Sequence, residues 1–212
     1  MLGGTVARLS VAAGYQVVLS NSRGPDTLKD LVGELGPLAS AGTGEEAAAA
    51  GDLVVVSVPL HACPHLPAGS LAGRTVLDTG NYYPQRDSQI PELESGTLTS
   101  SEWLQRQLPG AEVVKVFNNI FFKHLRSLAR PAEAAGRTYL PIAGDDAAAK
   151  AAVTEFLGSI GYGAVDAGTL AESWRQEPGT PAYGGPYGPF DNEAGTPASA
   201  DVIRAALAEA TR

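Results

Sequence analysis

An α/β fold with a mostly parallel, doubly wound sheet is predicted by three observations. Short apolar runs alternate with alanine-rich stretches of helical character along most of the chain. One run, Leu53-Val-Val-Val-Ser-Val58, is continuously apolar, as a strand covered on both faces must be. The chain has 212 residues and is 44% hydrophobic, enough for one sizeable core and a small C-terminal addition.

The elements follow in order. Thr5–Ala13 reads as a helix stopped by Gly14, and Tyr15–Ser20 as a strand ending in Asn21-Ser22-Arg23-Gly24-Pro25. Thr27–Leu35 looks helical, Leu38–Ser40 is a short strand, and Gly44–Ala50 is a short helix closed by Gly51. Leu53–Val58 and Thr75–Thr79 are the next strands. Ser101–Leu108 reads as a helix with Ser101 near its N-cap, followed by a strand at Glu112–Phe117. Thr138–Ala143 is a strand stopped at Gly144-Asp145-Asp146. Ala147–Ile160 carries Ala152, Val153, Phe156, Leu157 and Ile160 at helical spacing, with the two aspartates as its cap. Tyr162–Asp166 closes the regular part. Pro178–Pro197 is too rich in Gly and Pro for helix or central strand, and Ala198–Thr211 is a terminal helix.

Composition narrows the partners. A net charge of −8 argues against nucleic acid or an anionic membrane surface. The lone Cys63 excludes an intramolecular disulfide and fits a reducing cytoplasm. No apolar run approaches a membrane span, and Arg8 interrupts Thr5–Ala13 with no basic stretch before it, so that segment does not read as a signal peptide.

The start of the chain resembles half a motif. In a dinucleotide-binding βαβ unit, a strand and a Gly-x-Gly-x-x-Gly turn precede a helix and a second strand, whose tip holds the adenosine ribose. Gly3 fits the third glycine, which allows close helix–sheet packing beside the pyrophosphate. The ribose tip carries Asp or Glu when the ligand is NAD. Here Asn21, Ser22 and Arg23 stand instead, and a hydroxyl with a guanidinium suits a 2′-phosphate. A polar turn in an ordinary helix–strand unit is the plain alternative. The first strand and first two glycines of the motif are absent. In the usual order that strand lies between Tyr15–Ser20 and Leu53–Val58, so a strand-wide gap or displaced sheet is expected there. The expectation is that the natural protein begins about ten residues earlier, with Met1 an internal methionine.

Several segments together carry a resemblance. Gly3–Leu9, Ser20–Pro25, Val56-Ser-Val-Pro59, Val76-Leu-Asp-Thr-Gly-Asn81, Val114-Lys-Val-Phe-Asn-Asn-Ile120, Ile142–Asp146 and Val165–Leu170 resemble, in order and spacing, the NADP-dependent oxidoreductases that include the reductases of the deazaflavin coenzyme F420. The match spans roughly Gly3–Trp174, and cytoplasmic domains of membrane ferric reductases are similar to the same family. The resemblance implies a Rossmann-type NADP-binding domain at 1–174; for 175–212 the Pro/Gly/Tyr-rich composition suggests an acceptor roof or a contact in a homodimer. It implies that Asn21, Ser22 and Arg23 bind the 2′-phosphate and that Val58-Pro59-Leu60 line the path from adenosine to nicotinamide. Gly80-Asn81 would approach the nicotinamide ribose, and Asn118-Asn119-Ile120 would wall the nicotinamide ring. The missing Gly-x-Gly, the Pro/Gly/Tyr-rich tail and an asparagine at 118, where the F420 reductases often have histidine, depart from that pattern.

The expected reaction is hydride exchange between NADP(H) and coenzyme F420 or a flavin-like acceptor. It needs aligned carbons at about 3–3.5 Å rather than a nucleophile, and no catalytic side chain is assigned. Two other readings stand beside it: NADPH-dependent reduction of a small imine or carbonyl, and a non-catalytic NADP sensor that binds partners. An imine or ketone would need a proton donor, for which Tyr82, Tyr83 and Lys115 are nearest. Tyr183, Tyr187 and Phe190 in Thr180–Phe190, with Phe121 and Phe122, offer ring faces for a roof over the acceptor. His61-Ala-Cys63-Pro-His65 invites a metal reading, but tetrahedral zinc needs a fourth ligand and wider spacing. No metal is expected.

Overall fold

The computed structural model describes residues 2–212. Helix α1 (Leu2–Ala12) opens the described chain and buries Thr5, Val6, Ala7 and Ser10. Strand β1 (Val17–Leu19) pairs in parallel with β2 (Ala39–Ala41), and α2 (Lys29–Leu35) lies between them in sequence. A 3₁₀ turn at Pro25–Leu28 takes the first residues expected to be helical, because Pro25 fixes the backbone at the start of the turn.

The second sheet has five strands, in the order β3 (Leu53–Val56), β4 (Thr75–Asp78), β5 (Glu112–Lys115), β6 (Tyr139–Gly144) and β7 (Gly163–Asp166). All neighbours are parallel except β5 and β6, which pair antiparallel at Val114↔Gly144 and Lys115↔Ala143. The fold is Rossmann-like, α/β with a mostly parallel sheet. It is also split. β1 and β3 share no ladder, and a cavity of about 1050 Å³ runs between them, at the interruption expected from the sequence.

Caps place the helices. Thr43 and Glu46 form a reciprocal capping box at α3 (Gly44–Ala50). Thr99 and Glu102 do the same at α7 (Ser100–Gln107), so the cap is Thr99 and not Ser101. The Thr-x-x-Glu spacing explains the shift, and Ser101 is left free for another task. Asp146 caps α9 (Ala147–Ser159) by accepting from Ala149 N at 2.7 Å, while Asp145 accepts from Leu170 N at 2.9 Å. The connections hold short helices that apolar periodicity did not reveal: α4 (Ala68–Leu71), α5 (Pro84–Asp87), α6 (Pro91–Glu94) and α8 (Phe122–Ser127). Helix α10 (Ala200–Ala208) drives Ile203, Ala206 and Leu207 into the core that holds Leu140, Val153 and Val165. No helix among the described residues is long and apolar enough to cross a membrane.

Candidate functional site at the carboxyl ends of the strands

In an open parallel sheet, ligands collect beyond the carboxyl ends of the strands. Here that region is one end of the cavity between β1 and β3. Gly3, Val58, Pro59, Gly80 and Asn81 all line it, together with Tyr83 and Arg86.

Close approach explains two of the glycines. A Cβ on Gly3 would stand 3.2 Å from Ser57 Cβ and 3.4 Å from its Oγ, tighter than ordinary contact. The first turn of α1 therefore sits against the end of β3, as the third glycine of a dinucleotide turn must. A Cβ on Gly80 would stand 2.8 Å from Asp78 Oδ1, the atom that accepts from Gly80 N at 2.7 Å.

That turn rests on a buried charged group. Lys115 is fully enclosed, and its Nζ donates to Ser100 Oγ (2.8 Å), Ser101 Oγ (3.0 Å) and Gly80 O (3.1 Å). Asp78 and Glu177 approach at 3.5 and 3.7 Å. Ser101 donates to Asp78 Oδ2 at 2.6 Å, and Ser100 to Glu177 at 2.5 Å. Lys115 thus holds the turn from beneath and is no proton donor to the cleft. A register pairing of Asp78 with Lys115 brings the opposite charges together across the ladder. Two charged residues at the ends of apolar strands were the available signal for this cluster.

Asn118 is held in a second network. Its Nδ2 donates to Asn81 Oδ1 (3.0 Å) and Gln176 O (2.8 Å), and its Oδ1 accepts from Gln176 Nε2 (3.0 Å). Asn81 returns a bond to Asn118 O at 2.9 Å. The Asn118 side chain is buried, with both amide N–H groups donated and its oxygen bonded to Gln176, and it touches the cleft lining through Asn81. Ile120 and Leu60 are likewise buried, at 5% and 1% exposure, and line other parts of the core. Phe117 adopts φ 65°, a conformation that costs a non-glycine residue about 1–3 kcal/mol and turns the chain sharply before Asn118. Asn119 donates to Ala182 O at 2.8 Å and so ties down the Pro/Gly-rich segment.

The tip of β1 divides its labour. The Asn21 side chain accepts from Arg23 N (2.9 Å) and donates to Thr27 Oγ1 (2.9 Å), which shapes the loop. Ser22 and Arg23 are exposed, and their side chains make no hydrogen bond or ion pair among the described residues.

The aromatic roof expected from Thr180–Phe190 is corrected by packing. Tyr187 is fully buried, donates to Tyr139 O at 3.2 Å and cannot present a ring face. Phe121 and Phe122 meet edge to face with centroids 4.7 Å apart, and Phe121 meets Phe190 at 5.4 Å, away from the cleft lining. Tyr183 alone reaches the cleft wall, where its hydroxyl lies 2.7 Å from that of Tyr83. Burial and the Tyr83 hydrogen bond push the Tyr183 phenol up. Tyr82 is occupied by Glu94 at 2.7 Å and by Ile90 N at 3.1 Å.

His61, Cys63 and His65 do not converge. Cys63 is buried with Sγ 3.8 Å from Pro59 O, and His61 Nδ1 lies 3.0 Å from Asp87 Oδ1. No group of three or more metal-ligating side chains occurs among the described residues.

A glycine-seated helix start and strand ends that bound a cleft have the arrangement of a Rossmann-like nucleotide fold. The family model described as "NADP oxidoreductase coenzyme F420-dependent" matches residues 1–82. The chain is 29% identical over 175 residues to Metalloreductase STEAP3 of Rattus norvegicus, covering 82% of this chain and 33% of that protein. Hypothetical protein SMa0349 of Sinorhizobium meliloti has a structure similar to this one, with a TM-score of 0.72, 30% identity, and coverage of 84% of this chain and 86% of that one. A protein of Arthrobacter sp. FB24 described as an F420-dependent NADP-reductase shares the fold at TM-score 0.67 and 24% identity, covering 81% and 82% of the two chains. The chain belongs with the NADP-dependent oxidoreductases, and its match to the F420-dependent model lies in residues 1–82. It spans 33% and 39% of the length of the two curated relatives it matches.

Proposed function

We propose that this protein transfers hydride between NADP(H) and coenzyme F420 or a flavin-like acceptor. The observation that carries the reading is the cleft end bounded by Gly3, Val58-Pro59 and Gly80-Asn81, with unpartnered Ser22 and Arg23 at the neighbouring strand tip. The residues fit the dinucleotide. Gly3 lets the first turn of α1 come close, and Ser22 and Arg23 offer a hydroxyl and a guanidinium to a 2′-phosphate. When bound, the nicotinamide supplies the hydride. The chain's part is to hold the ring beside Asn81, which Asn118 and the Lys115-braced turn keep in place, and to exclude water.

The test is a fluorescence titration with NADPH and NADH, followed by turnover with F420, FMN and a cyclic imine. Arg23→Ala should weaken NADPH binding by about tenfold or more and leave NADH nearly unchanged. Equal losses for both nucleotides refute the 2′-phosphate role.

The paired hydroxyls of Tyr83 and Tyr183 favour a second reading, reduction of an imine or carbonyl. Tyr83 lines the cleft and can give a proton to the substrate. The Tyr183 hydroxyl can then donate to the Tyr83 oxygen left behind, and solvent entering the open cleft returns the proton to Tyr83. Turnover of the imine, abolished in Tyr83→Phe, would select it.

A further inference from the structure

Arg86 stands in the cleft wall beside Gly80, Asn81 and Tyr83, and no role in the reaction has been given to it. Its guanidinium is held on two edges. Nε donates to Asp87 Oδ1 at 3.0 Å, and Nη2 donates to Asp87 Oδ2 and Asn81 O, both at 2.8 Å. Its plane lies over the Tyr83 ring, 4.9 Å from the centroid. Nη1 makes no hydrogen bond among the described residues, and the side chain is 42% exposed.

Arg86 is the charge partner of the enclosed Asp87, but that pairing uses Nε and Nη2 and leaves Nη1 over. The Asp87 carboxylate, wholly enclosed, already accepts from Tyr83 N (3.1 Å) and His61 N (3.3 Å) and faces His61 Nδ1 (3.0 Å). Ser88, directly after it, adopts φ 65°, so the chain accepts a strained residue to keep Asp87 where it is. The consequence is a guanidinium locked in one plane with the two N–H groups of Nη1 left over at the cleft. A planar, fixed guanidinium is the group best matched to phosphate or carboxylate oxygens, and its rotamer entropy has already been lost. Charge along the cavity points the same way. Among the described residues that line it, Arg86 is the one basic side chain, and the acids Asp52 and Glu155 belong to other parts of the lining.

We propose that Arg86 recognises an anionic group, a phosphate or a carboxylate, on the acceptor bound beside Gly80 and Asn81. The proposal rests on the reading of the cleft given above and narrows its acceptor to anionic ring compounds. A second source of the same chemistry, the dinucleotide diphosphate, is assigned to the start of α1 at Gly3, and the test separates the two.

FMN and riboflavin share one ring system and differ by one phosphate. Calorimetry with the full chain measures both in the presence of NADP⁺, and NADP⁺ alone. Wild type should bind FMN about ten- to a hundredfold more tightly than riboflavin. Arg86→Gln should bring FMN affinity down to the riboflavin affinity of the same variant, and NADP⁺ affinity should fall by less than FMN affinity does. Arg86→Lys, which keeps the charge and loses the fixed plane, should retain part of the FMN preference. This second variant, with competition of FMN by inorganic phosphate in wild type, decides the matter if Arg86→Gln does not fold. Equal wild-type affinity for FMN and riboflavin, or binding of neither, overturns the proposal. So does a loss of NADP⁺ affinity in Arg86→Gln at an unchanged FMN-to-riboflavin ratio. Failure of wild type to bind NADP⁺ strikes the oxidoreductase reading itself, while the FMN preference still decides the role of Arg86.

Discussion

Replacing Lys115 by methionine tests the base of the cleft. Both Lys115 and its partner Asp78 are shut off from water, at 0% and 1% exposure, so solvent does not screen the pair. Methionine fills similar space and removes three hydrogen bonds together with the charge that faces Asp78 and Glu177. Removal of one partner from a buried pair costs about 3–5 kcal/mol, because the remaining charge stays buried alone. Domains of this kind have about 5–15 kcal/mol in total, so the variant should fold but unfold at a clearly lower urea concentration. Asp78→Asn should be destabilising for the mirror-image reason. The double variant, with neither charge, should be more stable than the sum of the single losses requires, by about 1–3 kcal/mol. Urea unfolding followed by circular dichroism gives all four stabilities. NADPH titration should also show weaker binding by Lys115→Met, since Gly80 O loses its donor. Strict additivity, or a single-variant loss below about 1 kcal/mol, would show that the cluster is not an energetic unit.

Three further outcomes are expected. Gly80→Ala should cost about 1–3 kcal/mol, because its Cβ would stand 2.8 Å from an Asp78 carboxylate that Ser101 already holds; an unperturbed melting temperature would refute the close fit. Burial, and then the nearby Asp78 and Asp87 carboxylates, push the Cys63 thiol up from 9.0 to about 12, so a thiol reagent at about pH 8 should label it only after denaturation. Rapid labelling of the native protein would contradict that placement. Burial acts to raise the Asp87 carboxyl, but hydrogen bonds from Arg86, Tyr83 and His61 outweigh it and hold the group below its ordinary 3.8. A depressed carboxylate contributes stability that is present above its unfolded pKa and lost as pH falls through the folded one. Urea midpoints should therefore fall more steeply below about pH 4 in wild type than in Asp87→Asn, and equal slopes would assign the acid lability to other groups.

The alternation of apolar runs and alanine-rich stretches determined the layered α/β fold, since each element declares its buried face through local periodicity. Gly3 was legible from its place in the half-motif, and Gly80 as a glycine shortly after a strand end. The interruption between Tyr15–Ser20 and Leu53–Val58 was also legible, from the order of the half-motif. Tertiary structure alone decided which side chains face the cleft. Asn118 and Tyr187 have the chemistry of ligand contacts, yet Gln176, Asn81 and Tyr139 use up their hydrogen-bonding groups inside the core. Lys115 looked like a proton donor until the ladder set it opposite Asp78. Arg86 carried no signal and Tyr183 showed only its aromatic ring, because the role of each depends on a partner brought close only by folding: Arg86 on the carbonyl of Asn81 and a left-handed Ser88, Tyr183 on the hydroxyl of Tyr83. Local sequence sets periodicity and caps, whereas the saturation of a polar group depends on distant neighbours that only the packed chain supplies.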